Sequence, residues 1–81
     1  MVVYDFIEEN DTQIIYWYYP EDDRTQDYGI IEVDKIKEKI RITKGAEGDF
    51  ANNNYGHHAI HQIIERLNND EKPRGGMVMW Y

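Results

Sequence analysis

Three histidines lie within the five residues from His57 to His61, and this spacing is the clearest candidate for metal chemistry in the chain. On a helix, His57 and His61 are one turn apart, and Glu65 follows after another turn on the same ridge. Neutral imidazoles at this spacing bind zinc or nickel, a carboxylate can supply a third ligand, and an acid near Asp49 would be a fourth. Histidines that border the core at a helix start are commoner than metal ligands. The ridge is therefore the second of two functional hypotheses.

The chain has few of the groups that enzymes use for covalent chemistry. It contains no serine and no cysteine, and its threonines are predicted at strand ends or in loops: Thr12, Thr25 and Thr43. It has neither a GxGxxG nor a GK[ST] sequence, so no phosphate-binding loop is indicated. A chain of 81 residues also leaves little room for the pocket of about 300 Å³ that a small ligand needs. We expect a protein that is not an enzyme.

The chain is acidic, and its charge is unevenly distributed. Sixteen acids and nine bases give a formal net charge of −7, with ten acids and one base in residues 1–34 and six acids and eight bases in residues 35–81. The bases are too few to hold nucleic-acid phosphates, so we expect no direct contact with nucleic acid. A basic protein partner fits better, and one variant is an inhibitor whose acidic surface imitates nucleic acid. The alternative is that the acids only keep an aromatic-rich chain soluble.

The same composition indicates where the protein works. No apolar run approaches the roughly 18 residues of a membrane span, and the first residues lack the basic segment of a secretory signal. Without cysteine there is no disulfide framework. We expect a cytoplasmic protein of one domain, residues 1–81, that has no contact with a membrane.

Two aromatic-rich segments at the start of the chain predict a β-hairpin. Residues 2–8 and 12–19 are rich in β-branched and aromatic side chains, and a polar turn at residues 9–11 separates them. We predict that Ile7 pairs with Ile14, although a slip of one residue would exchange the faces on one strand. The predicted faces are Tyr4, Phe6, Ile15, Trp17 and Tyr19 on one side, and Val3, Asp5, Ile7, Ile14, Tyr16 and Tyr18 on the other.

Both predicted faces of this hairpin are apolar or aromatic, which is typical of strands that are buried on both sides. A single helix covers only one face of a small sheet, so the end of the chain or another polypeptide must cover the second. Tyr, Trp and Met are enriched in interface cores, and large exposed apolar patches are rare on monomers. The first hypothesis is therefore a small non-enzymatic interaction protein, a homodimer or the binder of a protein partner, with an aromatic sheet face and an acidic rim. The predicted contact residues are Tyr16, Tyr18, Trp80 and Tyr81. The alternative is that they pack within their own chain.

Residues 29–44 predict a second hairpin with a four-residue turn at residues 35–38. In this register Asp34 lies opposite Lys39, and each pair of opposite charges stabilises the hairpin. The charged face is Glu32, Asp34, Lys39 and Arg41, and the apolar face is Ile31, Val33, Ile40 and Ile42.

The remaining segments complete an α+β fold of the order β-β-β-β-α-β. Between residues 54 and 69 the apolar residues recur every three to four positions, which predicts an amphipathic helix packed across one face of a four-stranded antiparallel sheet. Phe50 is expected to close one end of the core. Residues 20–28 are predicted to be an acidic exposed loop, residues 70–76 a flexible connector, and residues 77–81 a fifth strand or a docking arm.

Overall fold

The fold is built on one antiparallel sheet. The computed structural model describes residues 1–49 and 54–80. The elements in these residues are β1 (Val2–Glu9), β2 (Gln13–Pro20), β3 (Gly29–Asp34), β4 (Lys39–Lys44), α1 (Asn54–Asn68) and β5 (Gly76–Val78). The five strands lie in the spatial order β4-β3-β2-β1-β5. The predicted α+β fold, its element order and the fifth strand near the C-terminus are confirmed. The prediction for Phe50 lies outside the described residues.

The second hairpin, formed by β3 and β4, has the predicted register. Asp34 lies opposite Lys39, and Val33 lies opposite Ile40. The Oδ1 atom of Asp34 accepts hydrogen bonds of 2.9 Å from the backbone N–H groups of Lys37 and Ile36. These bonds, that from Lys37 first, hold the pKa of the Asp34 carboxyl below its ordinary value. The last residue of β3 therefore closes the turn that follows it.

The first hairpin, formed by β1 and β2, does not have the predicted register. Tyr4 lies opposite Tyr18, and Phe6 lies opposite Tyr16. The predicted assignment of faces is therefore wrong. One face of the hairpin carries Val2, Tyr4, Phe6, Ile14, Tyr16 and Tyr18, and the other carries Val3, Asp5, Ile15, Trp17 and Tyr19.

The turn and a β-bulge together cause this difference. The Oδ1 atom of Asn10 accepts hydrogen bonds of 2.9 Å from the N–H groups of Thr12 and Gln13, which moves the turn one residue along the chain. The pairing then shifts by one residue between Phe6 and Glu8. Because side chains alternate along a strand, a bulge of one residue exchanges the faces of all the residues before it.

The core lies between α1 and the face of the sheet that α1 covers, which we call the inner face. Its largest fully buried side chains are Tyr4, Tyr16, Tyr18, Ile31, Ile63 and Val2. The helix turns its small residues Gly56 and Ala59 towards the sheet, and both are buried. A Cβ atom on Gly56 would lie 3.0 Å from Cζ of Tyr18 and closer still to the side chain of Ile42. The first turn of α1 is therefore seated directly on the sheet.

One carboxylate, that of Asp49, holds the start of α1. Its Oδ1 atom accepts a hydrogen bond of 3.0 Å from the N–H of Tyr55. Its Oδ2 atom accepts one of 3.1 Å from the N–H of Gly56 and one of 2.7 Å from the hydroxyl of Tyr18. That hydroxyl also accepts a hydrogen bond of 3.1 Å from the N–H of Ala46. Since the first N–H groups of a helix lack intrahelical partners and favour a negative charge, Asp49 joins the helix to β2.

Replacing Asp49 by alanine is expected to lower the free energy of unfolding by about 2 kcal/mol, because two helix N–H groups and one tyrosine hydroxyl lose their acceptor. Urea denaturation followed by circular dichroism measures this change. Asp49→Asn, which keeps one acceptor oxygen, should lose about half as much. The control is Asp27→Ala in the exposed loop, which should change the value by less than about 0.5 kcal/mol. Equal values for the two alanine variants would contradict the capping role.

The last strand, β5, is tied to the helix as well as to β1. The hydroxyl of Tyr4 donates a hydrogen bond of 2.5 Å to Oε1 of Gln62, and Nη1 of Arg66 donates one of 3.1 Å to the same hydroxyl. Arg66 also donates to the carbonyl oxygen of Gly75 at 3.2 Å, and Nε2 of Gln62 donates to that of Met77 at 3.2 Å. Two polar side chains of α1 therefore fix the C-terminal segment against the sheet.

Candidate functional site

The face of the sheet opposite α1, which we call the outer face, is uncovered by secondary structure. Within residues 1–49 and 54–80 no helix or strand packs on it. Its side chains form two complete rows across the sheet from β1 to β4. One row is Asp5, Trp17, Ile30 and Lys44, and the next is Glu8, Ile15, Glu32 and Arg41. Each row begins with an acid on β1 and ends with a base on β4.

Three aromatic rings, which we call the outer aromatic cluster, lie together on this face. Trp17 stacks on Tyr28 with ring centroids 3.8 Å apart and an angle of 11° between the planes. Tyr19 meets Tyr28 edge-on, with centroids 6.3 Å apart. All three side chains are half-buried. Stacked and edge-on rings stabilise one another, so the cluster is a preformed apolar surface.

Two cations hold the outer aromatic cluster in place. The guanidinium carbon of Arg24 lies 4.2 Å from the ring centroid of Tyr19, and Nζ of Lys44 lies 4.3 Å from that of Tyr28. Lys44 also donates a hydrogen bond of 2.9 Å to the carbonyl oxygen of Tyr28. Arg24 bridges to Asp5 on β1 at 2.6 Å. The loop predicted to be merely acidic and exposed therefore folds back onto the sheet through Arg24 and Tyr28.

Of the predicted contact residues, the structure describes Tyr16, Tyr18 and Trp80, and of these three only Trp80 is partly accessible to solvent. Tyr16 and Tyr18 are 1% and 0% exposed. They offer no surface to a partner in this fold, because the shifted pairing turns them towards α1. Trp80 is half-buried and stacks on His58 with centroids 3.7 Å apart and an angle of 10°. Tyr81 lies outside the described residues.

The metal hypothesis gains no support from the geometry. His57, His61 and Glu65 are all exposed on α1. In the part of the chain that the structure describes, no group of three or more His, Cys, Asp or Glu side chains lies close enough to hold a metal ion. Asp49, the predicted region of a fourth ligand, binds the helix start with both of its oxygens.

A groove of about 500 Å³ lies between the turn of the second hairpin and the C-terminal half of α1. It is larger than the sequence led us to expect. Its apolar lining consists of Ile14, Val33, Ile40, Ile64 and Leu67, and exposed charged residues of the hairpin border it. The charged residues of the lining are Asp34, Lys35, Glu38 and Lys39, and the Asp34 carboxylate is bound by N–H groups of the hairpin turn.

The residues that the sequence reasoning missed are the three rings of the outer aromatic cluster and Arg24. The signal for Trp17 and Tyr19 was present, since they alternate with Tyr16 and Tyr18 along β2 and must face the other way. Tyr28 and Arg24 gave no such signal, because a loop without periodicity does not show which of its side chains return to the sheet.

Comparisons of the chain with known protein families, curated proteins and solved structures found no match. Among the described residues, no helix is both long and apolar enough to cross a membrane.

Proposed function

We propose that this chain is a small non-enzymatic interaction protein of the cytoplasm that contacts a protein surface through the outer face of its sheet. The observation that carries the proposal is the outer aromatic cluster, which lies on the face that α1 leaves uncovered. Trp17 and Tyr28 stack at 3.8 Å on this face. Trp, Tyr and Arg are the residue types that most often carry the binding energy of protein interfaces.

The outer aromatic cluster is also preorganised for binding. Each of its rings touches another ring or a cation, and Arg24 is held by Asp5 at 2.6 Å. A side chain that is already ordered loses little conformational entropy when it is covered, so more of the contact energy becomes affinity. This order favours a binding surface over a set of incidental surface aromatics.

The charges around the cluster favour a protein partner. In the described part of the chain, the acids of the outer face lie on β1 and β3 and its bases lie on β4 and at Arg24, so acids interrupt any basic groove across the face. A nucleic-acid surface of this kind would need such a groove to hold the phosphates. A protein surface with apolar side chains and charges of both signs fits the face without leaving like charges opposed.

Site-specific photo-crosslinking in cells that make the chain tests this proposal. A benzophenone amino acid at position 28 replaces one aromatic ring by another within the outer aromatic cluster. The same residue at position 61 replaces the exposed His61 on α1 and serves as the control. We expect a protein adduct from position 28, lost when Ile15→Glu is added to the face, and no adduct from position 61. The absence of an adduct at position 28, or equal adducts at both positions, would overturn the proposal.

A further inference from the structure

We infer that the partner of the outer face is a second copy of this chain, packed sheet against sheet about a two-fold axis that runs along the strands. The inference rests on the proposed function, because it names the occupant of the same face. It follows from the order of charges in the two rows of the outer face.

The charges at the two ends of each row are complementary to those of the reversed row, although Glu32 of the second row would lie over Ile15 of the other copy. The first row begins with Asp5 on β1 and ends with Lys44 on β4, and the second begins with Glu8 and ends with Arg41. Only apolar or aromatic side chains separate the two charges of the first row. A copy of the row laid face to face in the opposite direction would therefore bring an acid over a base at both ends.

A two-fold axis parallel to the strands produces this arrangement. Such an axis reverses the order of the strands and keeps each residue at its height along them. With the axis between β2 and β3, β4 of one copy lies over β1 of the other, so Arg41 faces Glu8 and Lys44 faces Asp5. In the same arrangement Trp17, with Tyr28 stacked on its ring, lies over Ile30 of the second copy. An axis across the strands would instead place β4 over β4, and the like charges would repel each other.

The size of the face is sufficient for a weak dimer. With the axis between β2 and β3, the four strands from β1 to β4 overlap, and at a spacing of about 4.8 Å and a length of about 20 Å they give a face of roughly 400 Å² in projection. Two such faces bury roughly 800 Å², which is below the standard size of specific protein interfaces and typical of weak, transient ones. We therefore expect a dissociation constant in the micromolar range.

A charge-swap experiment tests the inference. Arg41→Glu and Glu8→Arg should each weaken dimerisation at least about tenfold, because each places like charges opposite one another at two symmetric positions. An equimolar mixture of the two variants should form a heterodimer within about threefold of the wild-type affinity, since both contacts are again between opposite charges. Sedimentation velocity from about 1 µM to about 500 µM measures the three affinities.

The matched control is Lys37→Glu, which makes the same change of charge as Arg41→Glu at an exposed position in the turn and off the outer face. It should leave the dimerisation affinity unchanged. Arg41 is 73% exposed and lies 3.7 Å from Glu32, so its loss should hardly change the stability of the monomer. Urea denaturation of each variant checks this point.

Three results would overturn the inference: a wild-type chain that stays monomeric over the whole range, a mixture of variants that does not recover the dimer, or an equal loss of affinity in Lys37→Glu. The crosslinking experiment separates this failure from that of the proposed function. An adduct from position 28 with twice the mass of the chain supports both proposals. An adduct with a different protein supports the proposed function and overturns the second-copy inference.

Discussion

Replacing Gly29 by alanine is expected to lower the free energy of unfolding by about 3 kcal/mol. A Cβ atom at this position would lie 2.7 Å from Cδ1 of Tyr18 and closer still to two other atoms of the ring. The ring has no room to move, because it is fully buried and Asp49 and Ala46 bind its hydroxyl. The backbone is also restrained here, since Gly29 is paired with Tyr18 of β2 and the next residue, Ile30, is paired with both β2 and β4. Urea denaturation at neutral pH measures the loss.

The control for this prediction is Glu32→Ala in the same strand. Glu32 lies on the outer face, and its nearest ionic partner is Arg41 at 3.7 Å. An exposed ion pair of this kind is worth little, so we expect a change of less than about 0.5 kcal/mol. A Gly29→Ala variant that unfolds at the wild-type urea concentration would show that the sheet does not need the close approach of β3 to Tyr18.

Raising the pH above about 10 is expected to destabilise the fold by at least about 3 kcal/mol by pH 12. Burial raises the pKa of the Tyr4, Tyr16 and Tyr18 hydroxyls, that of Tyr16 to about 12. In the unfolded chain these hydroxyls ionise near pH 10. Above that pH the unfolded state has released protons that the folded state still holds, so the free energy of unfolding falls as the pH rises. Below it these tyrosines contribute no pH dependence.

Urea denaturation at a series of pH values from about 8 to about 12, together with tyrosinate absorbance, measures this effect. Tyr16→Phe is the matched variant, because it keeps the ring in the core and removes one ionisable hydroxyl. Its free energy of unfolding should fall by about 2 to 3 kcal/mol less than that of the wild type over the same range. An identical pH dependence in the two proteins would mean that Tyr16 ionises as readily in the folded state as in the unfolded chain.

The two hairpins show which parts of this fold the sequence can predict. In the second hairpin one face is charged and the other is apolar. Only one register places Asp34 opposite Lys39 and also keeps the apolar residues together on one face. In the first hairpin both faces are aromatic, and the hydrophobic pattern accepts either register. The register is set by the Asn10 turn and by the bulge in β1. Neither feature can be recognised from the alternation of residue types along the chain.

For the same reason, the sequence predicted an aromatic face on the first hairpin but did not predict which residues form it. An excess of aromatic surface on the first hairpin indicated that the end of the chain or another polypeptide would have to cover its second face. Which rings form that face depends on the register, so the sequence predicted Tyr16 and Tyr18 where the structure places Trp17 and Tyr19. The contribution of Tyr28 depends on how a loop folds back in three dimensions. The positions of the two charged rows likewise appear only when the pairing of four strands is known.

The bond between Asp49 and Tyr18 also affects the order of events in folding. The two residues are 31 positions apart in the chain, so the carboxylate that caps α1 is fixed against the sheet only when β2 is already in position. A helix of 15 residues is at best marginally stable by itself in water. We therefore expect α1 to form late, after the hairpins, and to melt with them in a single transition. A peptide with the sequence of the helix alone should be mostly unstructured.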